Sequence, residues 1–303
     1  MNKSTLFTTS LSFLLISNIV GCRAEEFGDT EAGSDQQSDA LESAITVISG
    51  QADDATGESF ALHKSATGWK VALAESILLP SATANNCGRA FSQVCDNATG
   101  TKTATYSSCS VGSRGFALSG SVTLTYSNNS CSLGVGENVV RTFDHTISGP
   151  HGGAVQTTSA LRANYRGTQI GGGGRLSHTA STTWEMEILG KHKIGTRNGH
   201  ALFDISVQTT NPLVIDGTLG RSGRTISAGS IEVSHNLAQF STVYTVTQPL
   251  VWNSTCCHPV SGAMSATYSG SLSGQGTITF NGCGSPQLSK DGRTRTLSIG
   301  YCE

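Results

Sequence analysis

Beyond residue 115 apolar residues recur on every second position through most of the chain. Between Phe116 and Tyr126, the residues Phe116, Leu118, Val122, Leu124 and Tyr126 share one face, and small polar groups take the other. A period of two marks an extended strand with one dry face and one wet face. The same alternation returns at Val139, Phe143, His145 and Ile147, at Val155, Leu161, Ala163 and Tyr165, at Trp184, Met186 and Ile188, and at Phe203, Ile205 and Val207. It continues through Ile231 and Val233, through Phe240, Tyr244 and Val246, through Ile278 and Phe280, and through Leu297, Ile299 and Tyr301. Turn-forming clusters separate these runs: Ser148-Gly149-Pro150, Gly171 to Gly174, Arg197-Asn198-Gly199, Asp216-Gly217, Ser222-Gly223, Asn281-Gly282 and Asp291-Gly292. No helical period lies between them, so the pattern predicts an antiparallel meander rather than a parallel sheet with crossover helices. The predicted class is all-β: a large antiparallel meander, closed as a curved sheet, sandwich or barrel, with a short N-terminal helix and disulfides. The helix is expected at Trp69 to Leu79, where apolar residues fall at spacings of three and four before Pro80. One internal echo appears, Ser119-Gly120 with Thr125-Tyr126-Ser127 and again Ser261-Gly262 with Thr267-Tyr268-Ser269.

The first residues follow a different rule. Lys3 precedes an apolar run from Leu11 to Val20, the order of a secretory signal. Ser17 and Asn18 interrupt the run, which is shorter than the roughly 18 or more apolar residues a membrane-spanning helix needs. Ile19-Val20-Gly21-Cys22 resembles the lipobox of bacterial lipoproteins, in which the chain is cut before a cysteine that already carries diacylglycerol. The resemblance implies lipidation of Cys22 and attachment to a membrane through that lipid. Arg23 follows; in lipoproteins of this kind an aspartate there favours the inner membrane, so the resemblance implies the outer one, with periplasmic or surface display left open. The chain then divides into a signal peptide at 1–21, an acidic, flexible tether at 22–56 (Glu25, Glu26, Asp29, Glu31, Asp35, Asp39, Glu42), a helix and cysteine-containing region at 57–110, and the β domain at 111–303.

Composition narrows the function more than it names it. Charged residues make up 13% of the chain and its formal net charge is −2, so no field draws it to nucleic acid. Nine cysteines are present, and setting Cys22 aside leaves Cys87, Cys95, Cys109, Cys131, Cys256, Cys257, Cys283 and Cys302. An even number in an exported chain reads as four disulfides. Short loops close at least entropic cost, which favours Cys87 with Cys95 and Cys109 with Cys131. Cys256 and Cys257 alternate faces on a strand and should take different partners from Cys283 and Cys302.

No catalytic set emerges. Gly-x-Ser-x-Gly is absent, which removes the α/β-hydrolase elbow. His151-Gly152-Gly153 has the start of an oxyanion-hole loop but follows Gly149-Pro150 and reads as a turn. His145, His151, His178, His192, His200, His235 and His258 are candidate bases beside Asp144, Asp204 or Asp216, with no spacing rule linking them. No metal or cofactor is implied: there is no His-Glu-x-x-His helix or paired Cys-x-x-Cys, and Gly171 to Gly174 lacks the lysine of a phosphate loop. The cluster Cys256, Cys257, His258, Cys283 and Cys302 has zinc-binding residue types, but export favours disulfides.

Trp252 to Gly262, containing Cys256-Cys257-His258-Pro259-Val260-Ser261-Gly262, and the later Phe280-Asn281-Gly282-Cys283-Gly284 resemble a C-terminal β-hairpin module of uncharacterised β-rich bacterial lipoproteins. The resemblance brings no activity. The expected function is therefore a membrane-anchored, disulfide-stapled interaction or structural module with an envelope or cell-surface partner. Two alternatives are a carrier of an apolar ligand such as lipid, which needs a strand-lined cavity, and an envelope hydrolase, which needs a histidine hydrogen-bonded to a carboxylate in a cleft.

Overall fold

The computed structural model describes residues 36–37, 40–45, 95–111, 116–149, 152–297 and 299, with only the backbone of 109–111 and 116. Fifteen strands follow one another: β1 (Thr101–Val111), β2 (Phe116–Tyr126), β3 (Asn138–Ser148), β4 (Gly153–Thr158), β5 (Arg162–Ala163), β6 (Gln169–Ile170), β7 (Gly173–Ala180), β8 (Thr183–Arg197), β9 (His200–Gly217), β10 (Arg224–His235), β11 (Phe240–Asn253), β12 (Cys256–Gly270), β13 (Gly274–Phe280), β14 (Gln287–Lys290) and β15 (Arg293–Thr296). Thirteen form one antiparallel sheet in the order β1-β2-β3-β4-β8-β9-β10-β11-β12-β13-β14-β15, with β7 also paired to β3 and β8. Sequence neighbours pair along almost the whole path, as the meander requires.

The alternation builds one dry face. Leu124, Leu176, Met186, Ile205, Ile231, Tyr244, Met264, Ile278 and Leu288, from nine strands and more than half the width of the sheet, are each at most 7% exposed and belong to one apolar cluster. Residues 40–45 are helical and sit on that cluster, with Ala40, Leu41, Ala44 and Ile45 fully buried. These six residues fall inside the span expected to be a flexible tether, and the tether does not include them: Ala40, Leu41, Ala44 and Ile45 make a helical stripe too short to stand out among acidic neighbours. The helix expected at Trp69 to Leu79 lies outside the described residues.

Glycines bend the sheet at three places. Gly120, Gly229 and Gly262 sit inside strands with φ of +121°, +116° and +114°. A Cβ on them would meet the backbone oxygens of Asp144, Pro212 and Pro249 at 2.2, 2.4 and 2.3 Å. Glycine inside a strand with a neighbouring backbone pressed against it marks a tight bend. The pairing register shifts beside Gly229 and Gly262, and bulges of this kind kink a strand and increase its twist. The echo seen in the sequence is thus structural: Gly120 and Gly262 are each followed six residues later by a tyrosine packed against the core, Tyr126 and Tyr268. Gly229 has His235 at the same offset.

β4 and β7 share one position in the sheet. β3 pairs with β4 through Asp144–Ser148 and with β7 through Asn138–Arg141, and β8 also pairs with both. Between them the chain leaves the sheet as a lobe, residues 159–172, containing the small β5–β6 hairpin. The alternation expected to run from Val155 through Leu161, Ala163 and Tyr165 therefore stops at Thr158. Leu161 is 69% exposed.

Two disulfides are formed between described residues, Cys95–Cys131 and Cys256–Cys283, each with Cα atoms 5.8 Å apart. The first corrects both short-loop pairings, Cys87 with Cys95 and Cys109 with Cys131. Thr101 faces Thr125 across the β1–β2 hairpin, so the chain entering β1 lies beside the chain leaving β2. Sheet register places Cys95 against Cys131 and overrides the entropy of closing a longer loop. Cys257 is also disulfide-bonded, so with Cys283 taken by Cys256 the two neighbours have different partners, as the strand geometry predicts. Cys87 and Cys302 lie outside the described residues, as does the side chain of Cys109.

Candidate functional site: a polar patch beneath the lobe

The wet face of the sheet carries a row of small polar residues in register across six strands. Thr158 on β4 is opposite His192 on β8, His192 opposite Ser206 on β9, and Ser206 opposite Ser234 on β10. The row goes on to Ser241 on β11 and Ser269 on β12. Each is set there by the same alternation that turns Ile205, Val207, Val233 and Tyr244 inward. A wet face ought to be exposed, yet His192, Ser206, Ser234 and Ser241 are each only 1% exposed, because the lobe lies over them.

The lobe is tied down along its length. Its neck is closed by Gly172 N donating to Ser159 O at 2.8 Å. Its tip is shaped by Asn164, whose Oδ1 accepts from the backbone N of Arg166 and Thr168 at 2.9 and 3.0 Å, a side chain standing in for a turn carbonyl. Tyr165 N donates to Asn236 Oδ1 at 2.9 Å, and Asn236 Nδ2 donates in turn to Asp204 Oδ1 at 2.7 Å. Arg166 is the main strap: Nε donates to Tyr165 OH at 2.8 Å, Nη1 to Glu232 Oε1 at 3.2 Å, and Nη2 to the hydroxyls of Ser241 and Ser269. Gln208 Nε2 holds the other oxygen of Glu232 at 3.0 Å. A guanidinium suits this position because its planar fork donates in several directions at once.

At the exit of the lobe the Ile170 carbonyl lies 2.8 Å from His192 Nε2. A carbonyl only accepts, so Nε2 carries the proton. Burial pulls the pKa of His192 down; the Ile170 bond and the charge of Asp204 oppose this, while Arg162 adds to it. The chain leaves through Gly171, which packs on Gly190 so closely that a Cβ on Gly190 would come within 2.1 Å of Gly171 N. The glycine run serves close backbone approach, and Gly173 and Gly174 already belong to β7, so it is not simply a loose turn.

Two groups beneath the lobe remain unmatched. Ser206 Oγ and Ser234 Oγ are buried and accept or donate no hydrogen bond. Leaving a buried hydroxyl unsatisfied costs about 1–3 kcal/mol.

The other sequence candidates are scattered. His145 is on β3, on the same face as Phe143; His178 stacks on Trp184 with ring centroids 3.7 Å apart; His200 is exposed in the β8–β9 hairpin; His235 stacks on Phe240. His258 is buried beside the Cys256–Cys283 disulfide, and burial, with Arg221 adding to it, lowers its pKa to about 4. His151 lies outside the described residues, but Gly152 and Gly153 accept backbone bonds from Asn198 and Gly149, as a turn does. Asp144 accepts from Gln156, Asp204 from Asn236, and Asp216 from Thr183. No hydrogen bond joins a histidine to a carboxylate between described residues, so the arrangement a hydrolase needs is not assembled among them. Cys256 and Cys283 are bonded to each other rather than offered as thiolates. No group of three metal-binding side chains occurs among the described residues. The dry face is filled by side chains such as Phe240, Tyr244, Phe280 and Met186 and by the 40–45 helix, which counts against a lipid-sized cavity there.

Sequence reasoning named His192 and Asp204 but missed the patch. Ser206, Ser234, Ser241 and Ser269 look like any wet-face serine, and their alignment depends on register shifts invisible in composition. The available signal was the break in alternation after Thr158, followed by Asn164-Tyr165-Arg166-Gly167. No protein-family model, no curated protein and no solved structure matches the chain.

Proposed function

We propose that this chain is a lipid-anchored lipoprotein of the bacterial cell envelope, held at the outer membrane through Cys22, whose β body is a rigid module for binding an envelope or cell-surface partner. The Ile19-Val20-Gly21-Cys22 segment behind its apolar run supports the anchor. The single observation that carries the module reading is the covered polar patch on the wet face. One face is filled with side chains, while the other holds a strapped lobe over two unsatisfied hydroxyls. Disulfides at Cys95–Cys131 and Cys256–Cys283 suit an exposed body, each adding about 2–4 kcal/mol mainly by restricting the unfolded chain.

Leu161, on the lobe and 69% exposed, is the place to test it. A photo-crosslinking amino acid at Leu161, activated in intact cells, is expected to give discrete adducts that a substitution at exposed Thr247 on β11 does not give. The same adduct pattern from both positions, or none from either, would count against a dedicated binding face.

A further inference from the structure

Ser206 and Ser234 face each other at the centre of the covered row, each 1% exposed and each with an unmade hydrogen bond. Other buried groups, such as Trp184 Nε1, also lack a partner, but Ser206 and Ser234 are adjacent hydroxyls in a row of polar residues beneath a polar lobe, where one hydroxylated ligand can complete both. The surroundings say what kind of group that is. Asp204 and Asn236 stand on one side of the pair and Gln208 and Glu232 on the other, each two residues away, with Asn236 just past the end of β10. From above, the lobe contributes the Arg166 guanidinium. Donors and acceptors interleave: Glu232 is set against Arg166 and Gln208, and Asp204 against Asn236. A phosphate would meet both carboxylates, and a metal ion would find no cluster of three ligands among the described residues. A neutral ligand with several hydroxyls, each able to donate and accept, fits this set.

What covers the hydroxyls is the lobe; its base is fixed by Ser159 bonded to Phe143 N and O and by the buried Ile170 side chain, whereas its exposed tip, residues 161–168, is held by polar bonds from Arg166 and the Tyr165 backbone N. Arg166 itself is 40% exposed. Its root passes through Gly172 and Gly173, at φ of +110° and +79°, a conformation glycine adopts freely.

We propose that the tip of this lobe, residues 161–168, is a displaceable strap over a saccharide-binding groove whose floor is Ser206 and Ser234. This deepens the binding-module reading and rests on it. With the strap down the groove is shut. A neutral oligosaccharide binds the lifted form, its hydroxyls completing the two serines and reaching Asp204, Asn236 and Glu232. No bond is made or broken covalently. Because ligand and strap compete, loosening the strap raises apparent affinity by enlarging the open fraction.

The test is calorimetric titration of the full mature protein, in micelles of a sugar-free detergent, with chitotetraose and maltotetraose as probes. Arg166→Ala is expected to bind at least one of them about tenfold more tightly than the parent, with Arg166→Lys between the two. Adding Ser206→Ala and Ser234→Ala to Arg166→Ala is expected to remove that gain of about tenfold or more while leaving the melting temperature unchanged or higher, since the lost hydroxyls had no partners. A purely structural role for the serines would instead lower it. No binding of either probe by both Arg166 variants, folded by circular dichroism, would overturn the proposal, as would undiminished binding without the serines. Crosslinking from Leu161 reports on the binding module independently, so the two readings fail separately.

Discussion

At the scale of single residues, buried histidines give the molecule a pH dependence with a definite sign. His258 titrates at about 4 in the folded chain against an ordinary 6.5, chiefly because burial disfavours its charged form. Burial also lowers the pKa of His192 and His235. Between the two values the unfolded chain binds a proton that the folded chain refuses, so stability rises with pH through this window and is lost as pH falls from 6.5 toward 4. His258 alone accounts for about 3 kcal/mol of that loss. Urea unfolding at pH 7.5 and pH 4.5 should show a lower midpoint at the acid value, and His258→Leu should reduce the difference; an unchanged midpoint in the parent would contradict the burial of these rings. The inward residues were legible from alternation, as Phe143, Ile205 and Tyr244 illustrate. Ser206 and Ser234 were not, because being buried on the wet face depends on a lobe that comes from elsewhere in the chain. Arg141 and Lys191 were equally hidden: both lie on the dry face against the Phe143 ring, at 5.2 and 5.6 Å.

At the scale of elements, strands announced themselves and exceptions to strands did not. β8 to β11 and β13 lie where the alternating runs predict them, and Asn198-Gly199 and Asp291-Gly292 both take the positive φ that a tight hairpin requires. The lobe was read as a continuation of β4 because Leu161, Ala163 and Tyr165 keep a period of two by accident. The 40–45 helix was read as tether because four buried residues cannot outweigh an acidic neighbourhood by composition. Packing decides instead, and it sets a clear expectation for Leu41, which is fully buried in the main cluster. Leu41→Ala should destabilise the protein by about 2–5 kcal/mol in denaturant titration. A tether residue would give no measurable change, and that result would dislodge the helix from the core. Disulfide pairing shows the same hierarchy, since loop entropy pointed to near neighbours whereas the β1–β2 register delivered Cys95 to Cys131.

At the scale of the whole molecule, a thirteen-stranded antiparallel sheet with one dry face is what a long Ser- and Thr-rich alternation produces when glycines let it bend. Gly120, Gly229 and Gly262 bend it, a helix lies on its dry face, and a strapped lobe covers part of the other. The proposed anchor lies at the opposite pole of the argument, in a motif of four residues read from sequence alone. On that proposal the anchor would give the body its place, and the export preceding it would give the disulfides oxidising surroundings. Mass spectrometry of the N-terminal peptide from membrane-extracted protein tests it most directly. The account predicts a mature chain beginning at Cys22 and heavier than its sequence by a thioether-linked diacylglycerol; a peptide beginning elsewhere, or a Cys22 thiol without lipid, would contradict it.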